Sequence, residues 1–419
     1  MERYQSIYVV LALIAFYIIF PLLYSGICVI WSLLRRKAKP IQSVALFASV
    51  WVVFEFTLSK IPFVFPLSIA ITQFKNPILI QICAFTGIYG VSFALIFVNG
   101  LLAEAFALKK PALGFIVVAS IMLYSILGFS LLNLKPSIST EQNIKLLLVQ
   151  PNIEYRDAWR SSPYNYLYKK ILNQLNRITL QGEVESFPYT IVWPELSITD
   201  FSPYNALSNK ALAVALKNQN GLILGAKLQD QNAILSLNQQ QEIIGHYSKQ
   251  KLVPGFETTL YKKIQGSRPV PIENGKYLLG SFVCLEILFP DVSREFTRNH
   301  AELLGCISFN TWLGHTNWPL LQAAYAPFRA VENHRYLFFL NNHGPSLSVN
   351  KRGQIQAELP ISKAGYIRSQ ATLNKELTPY TRFGDVFVWL CVAISLLSFI
   401  KKKETVFKIL KFNLFKFLI

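Results

Sequence analysis

Runs of about twenty apolar residues constrain this chain more than any other feature, because a helix of that length matches the hydrocarbon core of a bilayer. Four such runs fall near residues 7 to 33, 42 to 59, 78 to 104 and 112 to 133, and a fifth lies near 384 to 400. Residues 61 to 74, interrupted by Pro62 and Pro66, are too short and broken to span and are expected to be re-entrant or interfacial. The first run lacks a small-x-small cleavage site and is expected to be retained rather than removed as a signal. With 52% hydrophobic residues and a mean hydropathy of +0.34 over 419 residues, part of the chain belongs in lipid.

Charge supports this division. The 41 Lys and Arg outnumber the 23 Asp and Glu, for a net charge of +18. No helix-turn-helix, RNP or zinc-finger pattern accompanies the excess, so no nucleic-acid partner is expected. Instead the basic residues cluster at the ends of apolar runs: Arg35, Arg36 and Lys37; Lys109 and Lys110; Lys401, Lys402 and Lys403. Such clusters collect on the cytoplasmic side. With all three inside, the spans zigzag consistently and residues 134 to 383 emerge outside.

That central segment has a different texture. Short apolar runs beginning at Lys145, Thr190, Leu222, Leu278, Leu303 and Tyr336 read as buried strands. Leu167, Ile171, Leu175 and Ile178, and then Leu207, Leu212 and Leu216, recur at helix spacing. Strands alternating with helices predict an α/β layered domain. The resulting division is 1–135 membrane helices, 136–380 catalytic domain, and 381–419 a last span with a basic tail. The polar stretch 238 to 241 is expected to be a hairpin tip.

Three residues on this segment make a chemical set. Cys284, in SFVCLEILFP, closes a strand run ahead of Pro290 and Asp291, which suit a helix start. Glu195, in VWPEL, follows a proline that stops a strand and leaves a carboxylate at the rim. A lysine lies in HYSKQKLVP, where alternation puts Tyr247, Lys249 and Lys251 on one face and does not choose between the two lysines. A base, a cation for an oxyanion and a thiol nucleophile suffice for acyl transfer through a thioester. Singly, the cysteine and the first acid have ordinary readings, as a structural thiol and a solvated strand-end acid; Glu257 alone reads as a loop acid. Cys306 sits within a strand run and is expected to be structural. The five cysteines form no CxxC pair and the five histidines no metal-ligand spacing.

Together these positions resemble the carbon-nitrogen hydrolase (nitrilase) superfamily, whose Glu, Lys and Cys come in this chain order. With the flanking spans and the LVP segment, the resemblance narrows to the apolipoprotein N-acyltransferase family. It implies Glu195 as base, Lys249 rather than Lys251 as the lysine, Cys284 as nucleophile, and supporting roles for Glu257, Glu286, Trp159, Leu285, Asn310, Trp312 and Asn342. It also implies a multi-pass α-helical membrane domain plus an extracytoplasmic α/β nitrilase-like αββα sandwich. A membrane phospholipid would be the acyl donor and a diacylglyceryl apolipoprotein the acceptor, with no cofactor or metal. The location would be a bacterial cytoplasmic membrane, with the catalytic domain facing the periplasm or exterior. Trp312 and Trp318 are candidate interfacial gate residues. The chain departs from the family pattern at Leu285, where Tyr is usual, at Thr311 (Asp), Gln322 (His) and Phe339 (Arg), and the first membrane helices of longer members are expected to have no counterpart in it. Two other readings fit less of the chain: a membrane-tethered nitrilase-type amidase, which needs one helix and not five, and a degenerate lipoprotein-binding homologue.

Overall fold

The computed structural model describes residues 39–61, 65–134, 142–154, 166–183, 188–198, 201, 205–253, 257, 265–266, 268–275, 277–311 and 316–398, with parts of 18–32. These fall into two compact units, one from Met1–Lys60, Tyr89–Tyr124 and Asp385–Ile419, the other from Ile61–Ile88 and Ser125–Gly384.

The N-terminal helices are α1 (Pro40–Lys60), two short helices α2 (Pro77–Ile80) and α3 (Cys83–Thr86), then α4 (Ile88–Leu108) and α5 (Pro111–Asn133). Of these, α1, α4 and α5 are long and apolar enough to cross a bilayer, and a shorter apolar helix runs over Val386–Ser398. Within the first unit, buried Glu55 on α1 accepts from Trp51 Nε1 at 2.9 Å and from Ser92 Oγ on α4 at 2.7 Å, as a carboxyl in a membrane helix requires. Gly100 on α4 permits close packing on α1, since a Cβ there would stand 2.7 Å from Val44 Cγ1.

The span expected at 78 to 104 is broken, and the long helix begins ten residues later. Gly87 adopts φ +64°, and a Cβ on it would lie 2.6 Å from the Tyr380 ring. The next N–H, of Ile88, is taken by the Glu332 carboxylate at 2.8 Å, which caps α4 from a residue 244 positions away. Segment 61–88 accordingly belongs to the second unit. Its 3₁₀ turn Ile69–Gln73 is entered beneath Tyr325, whose hydroxyl donates to Pro66 O at 2.7 Å and accepts from Ser68 N at 3.0 Å. Gln81 Nε2 donates to Arg352 O at 2.9 Å.

The second unit is built on two six-stranded sheets. The strands are β1 (Asn143–Gln150), β2 (Thr190–Val192), β3 (Gly221–Leu228), β4 (Gln231–Leu237), β5 (Ile243–Ser248), β6 (Ile272–Asn274), β7 (Tyr277–Val283), β8 (Leu303–Ser308), β9 (Leu337–Asn341), β10 (Ser346–Val349), β11 (Ile355–Leu359) and β12 (Gly365–Thr372). The orders are β12-β1-β2-β3-β4-β5 and β11-β10-β9-β8-β7-β6. In each, three central strands are parallel, β1-β2-β3 and β7-β8-β9, and the flanking pairs are antiparallel. The expected hairpin tip at 238 to 241 joins β4 to β5, with Asn238 Oδ1 accepting from the Gln240 and Glu242 N–H groups.

Continuous apolar strands follow from burial on both faces. On β1, Leu147 and Val149 join the cluster under helix α6 (Tyr166–Gly182), while the equally buried Leu146 and Leu148 point to the opposite face. Helix α6 contributes Ile171, Leu172, Leu175 and Ile178 to that cluster, at about 1.5–3 kcal/mol of transfer free energy each. Tyr168 ties it to α7 (Ala206–Leu216) through a 2.7 Å bond to Ser208. The second sheet is covered by α8 (Pro290–Arg298), which starts with Pro290 at its first position and Asp291 in its first turn, and by α10 (Ala326–Asn333), while the short α9 (Trp318–Ala323) packs on the turn Cys284–Leu288. The order helix, sheet, sheet, helix is the αββα arrangement expected.

Candidate active site

The polar centre lies just beyond the carboxyl ends of β2, β5, β7 and β8, where an open α/β sheet leaves its crevice. Glu195 comes three residues after β2 because Pro194 ends the ladder. The chain stays beside β3, with Gly225 N donating to Pro194 O and Ile198 N to Gly225 O, both at 3.2 Å, and Leu196 turns it with φ +57°. Gly225 is required at this crossing: a Cβ would fall 2.5 Å from Glu195 Cα and 2.8 Å from Ile307 Cδ1 of the facing sheet.

Lys249 comes directly after β5. Its N–H is held by Asn232 O and its carbonyl by Gly266 N, each at 2.8 Å, so the alternation of β5 stops at Ser248. The ladder's end separates the two lysines that periodicity left equivalent. Lys249 is 1% exposed, with Nζ 2.9 Å from Glu257 Oε2 and 3.7 Å from Glu195 Oε1. Lys251 points out to Asp291 and the Phe289 ring.

Cys284 ends β7 and opens a 3₁₀ turn, Cys284–Leu288, in the left-handed region at φ +52°, a conformation that costs a non-glycine residue about 1–2 kcal/mol. Glu286 holds that turn. One of its oxygens takes the Val283 N–H at 2.7 Å, and the other takes the Tyr247 hydroxyl at 2.7 Å and the N–H groups of Gln250 and Lys251 at 2.7 and 3.1 Å. A single carboxylate thus joins the cysteine turn to the lysine segment, and its pKa is raised by burial despite four donors. From behind, the Arg329 guanidinium donates to Ile287 O at 2.9 Å and pairs with Glu332. The Leu285 N–H, in the first turn of the 3₁₀ helix, has no intrahelical acceptor.

Asn232 carried no motif and went unnoticed in the sequence. Its Nδ2 donates to Glu195 Oε1 at 2.7 Å and to Glu257 Oε1 at 3.1 Å, which joins the two carboxylates around the lysine. The other Glu195 oxygen, Oε2, is buried without a hydrogen-bond partner among the described residues.

The charges are interdependent. Burial raises the Glu195 pKa, with Lys249 opposing and Glu257 adding to the rise. Burial works against the Lys249 ammonium, yet Glu257, Cys284 and Glu195 hold its pKa above the ordinary lysine value. Burial also acts on Glu257, but the Lys249 charge brings it below the ordinary carboxylate value. The Cys284 thiol is pushed up to about 11 by burial and by Glu195, with Lys249 pulling it back. At neutral pH the centre therefore holds a Lys249–Glu257 ion pair beside a neutral thiol.

Of the supporting residues expected, Asn310 stands at the cysteine, its Oδ1 3.8 Å from Sγ. Asn342 is buried, but its side chain is engaged by Ile153, with bonds of 2.7 and 3.1 Å, rather than by any of the trio. Trp159 and Trp312 lie outside the described residues; Trp318 packs against Phe65 with ring centroids 5.0 Å apart and planes tilted by 53°. Cys306 is buried against Cys284 O at 3.7 Å. Among the departures, Phe339 is a core residue of β9 and Thr311 Oγ1 is buried with no hydrogen-bond partner among the described residues, whereas Gln322 reaches the cysteine, Nε2 to Sγ 3.6 Å.

Comparison with known proteins bears on what this centre does. Residues 1–101 match the apolipoprotein N-acyltransferase N-terminal domain, and residues 190–378 match the carbon-nitrogen hydrolase family. The apolipoprotein N-acyltransferase of Geobacter metallireducens is 27% identical over 394 residues, covering 86% of this chain and 74% of that protein. Its counterpart from Shewanella oneidensis is 25% identical over 432 residues, covering 94% and 80%. With both domains present in this order and relatives of one kind along most of its length, the chain belongs to the apolipoprotein N-acyltransferase family.

Proposed function

We propose that this acyltransferase works through Glu195, Lys249 and Cys284, with a membrane phospholipid as donor and the α-amine of a diacylglyceryl-cysteine apolipoprotein as acceptor. The observation that carries this reading is the buried Lys249 ammonium, 2.9 Å from Glu257 and 3.7 Å from Glu195, in the same closed centre as the Cys284 thiol. An ammonium has three N–H groups. Glu257 takes one and Glu195 lies beyond hydrogen-bond reach, which leaves Lys249 able to donate to a developing oxyanion.

In the first half-reaction Glu195 takes the Cys284 proton as Sγ attacks the ester carbonyl, and the tetrahedral oxyanion is held by Lys249 and the Leu285 N–H. The carbon–oxygen bond to glycerol then breaks, Glu195 returns the proton to the departing oxygen, and a lysophospholipid leaves a thioester on Cys284. In the second, the acceptor amine attacks the thioester, Glu195 takes its proton, the carbon–sulfur bond breaks and the thiol is restored. The high thiol pKa means the thiolate forms as attack proceeds and does not accumulate at rest. Glu257 and Asn232 fix the charges, and Glu286 fixes the turn. On this reading residues 136–380 carry the chemistry, while 1–135 and 381–419 hold the chain in a bacterial cytoplasmic membrane as a multi-pass protein, catalytic side facing the periplasm or exterior.

The test is an assay of purified protein in detergent with phospholipid and a diacylglyceryl lipopeptide, read by mass spectrometry. Wild type is expected to add one acyl chain to the lipopeptide and to carry an acyl thioester at Cys284; Cys284→Ala should do neither. A thioester without lipopeptide product would favour the amidase reading, and transfer surviving in Cys284→Ala would remove the nucleophile assignment.

A further inference from the structure

We propose that Gln322 is the hydrogen-bond donor that holds the Cys284 sulfur as it becomes a thiolate, an assignment that rests on Cys284 being the nucleophile. Gln322 comes from α9, an element separate from the chain segments that carry Glu195 and Lys249, and is 1% exposed. Its Nε2 is 3.6 Å from Sγ, ordinary for a bond to the larger sulfur atom.

The orientation of the amide follows from its other end. Gln322 Oε1 accepts from Ser308 Oγ at 3.3 Å and from Asn310 Nδ2. With the carbonyl taking both donors, the N–H edge is left for the sulfur; turning the Gln322 amide alone would set two N–H groups against each other. Asn310 Oδ1, at 3.8 Å from Sγ, accepts from Ser308 at 3.1 Å. The neutral thiol can donate to Asn310 and accept from Gln322. Once the proton has gone, the Asn310 oxygen has nothing to accept from the sulfur, and Gln322 remains as a donor to it. The Ser308 hydroxyl, also within reach of the sulfur, has one proton for three acceptors, whereas the Gln322 amide has two.

A donor that prefers the charged form offsets part of the cost of making it. The need is large at this position. Burial and the Glu195 and Glu257 carboxylates all oppose the thiolate, the neighbouring Cys306 thiol is itself buried, and Lys249 is the cation that counters them. The same bond fixes the direction of Sγ during attack and steadies the leaving thiolate when the amine displaces the thioester. A structural filler would need neither the amide's orientation nor its polarity.

The experiment follows alkylation of Cys284 by iodoacetamide in the full-length protein in detergent, in brief pulses from about pH 8 to about pH 12.5 so that the window brackets the raised thiol, with peptide mapping to separate it from the other four cysteines. Gln322→Glu is isosteric and keeps the acceptor end while replacing the donor edge with an oxygen; Gln322→His keeps a ring N–H donor. In Gln322→Glu the alkylation inflection should move up by about one pH unit or more, with kcat for lipopeptide acylation down at least about tenfold and KM within about twofold. Gln322→Leu should move it the same way by less, and Gln322→His should return both readouts towards wild type. Thermal unfolding of each variant identifies any that fails to fold, and the remaining substitutions then decide. An unmoved inflection in Gln322→Glu and Gln322→Leu, with or without loss of activity, overturns the proposal. If Cys284→Ala still transfers acyl chains the wider reading fails; an unmoved inflection with Cys284→Ala inactive removes Gln322 alone.

Discussion

Asn232 has the most to do for its size: one amide nitrogen serves both carboxylates that flank Lys249. Its donation lowers the pKa of Glu195 against the rise that burial causes. Asn232→Leu should therefore raise the Glu195 pKa further and reduce kcat by about 10²-fold, the scale of a lost charge-assisted contact in a buried site. The pH profile gives the sign. A base with a raised pKa is lost to protonation as pH falls, so the acid limb of kcat should lie above the ordinary carboxylate value near 4.3 and move higher in Asn232→Leu. The alkaline side should not fall through Lys249, whose pKa is raised. An acid limb unchanged in the variant would remove Glu195 as the titrating group. At this scale the sequence was readable where residues differ in kind. A thiol, an acid and a lysine stood out, but Asn232 looks like any polar residue at the start of a strand. Lys249 and Lys251 could not be told apart by periodicity because the strand that would alternate them ends at Ser248.

At the scale of elements, the site depends on how strands end. Gly225 lies within β3, where a side chain would ordinarily strengthen the strand, yet the Glu195 segment and the facing sheet both occupy the Cβ position. Gly225→Ala must displace the Glu195 backbone or Ile307, and overpacking of this kind costs about 1–3 kcal/mol. The expected outcome is a lower unfolding temperature together with a fall in kcat larger than in KM; a variant that loses stability but keeps kcat would show that Glu195 tolerates the shift. The strand runs starting at Lys145, Leu222 and Leu303 were legible because burial on both faces leaves a continuous apolar signature. The break at Gly87 was not. A window of hydropathy passes over it, and the reason for it, the Glu332 carboxylate on Ile88 N–H with the Tyr380 ring against Gly87, comes from residues more than 240 positions on.

For the molecule as a whole, the basic clusters make a claim that labelling can check. In cells carrying Gln240→Cys in the hairpin between β4 and β5, an impermeant maleimide should label the new thiol without permeabilisation, whereas Lys110→Cys, between α4 and α5, should react only after it. The reverse pattern would invert the proposed orientation. The placement of segment 61–88 reaches further. Tyr325, Arg352 and Glu332 of the sheet-bearing unit are closed by Pro66, Ser68, Gln81 and Ile88, residues that run from the stretch after α1 to the first residue of α4. A gene trimmed to residues 136–380 would therefore encode a body with part of its own wall missing. Any shortened gene meant to yield the two-sheet body would have to carry residues 61–88 along with it, as a fused or separately supplied piece.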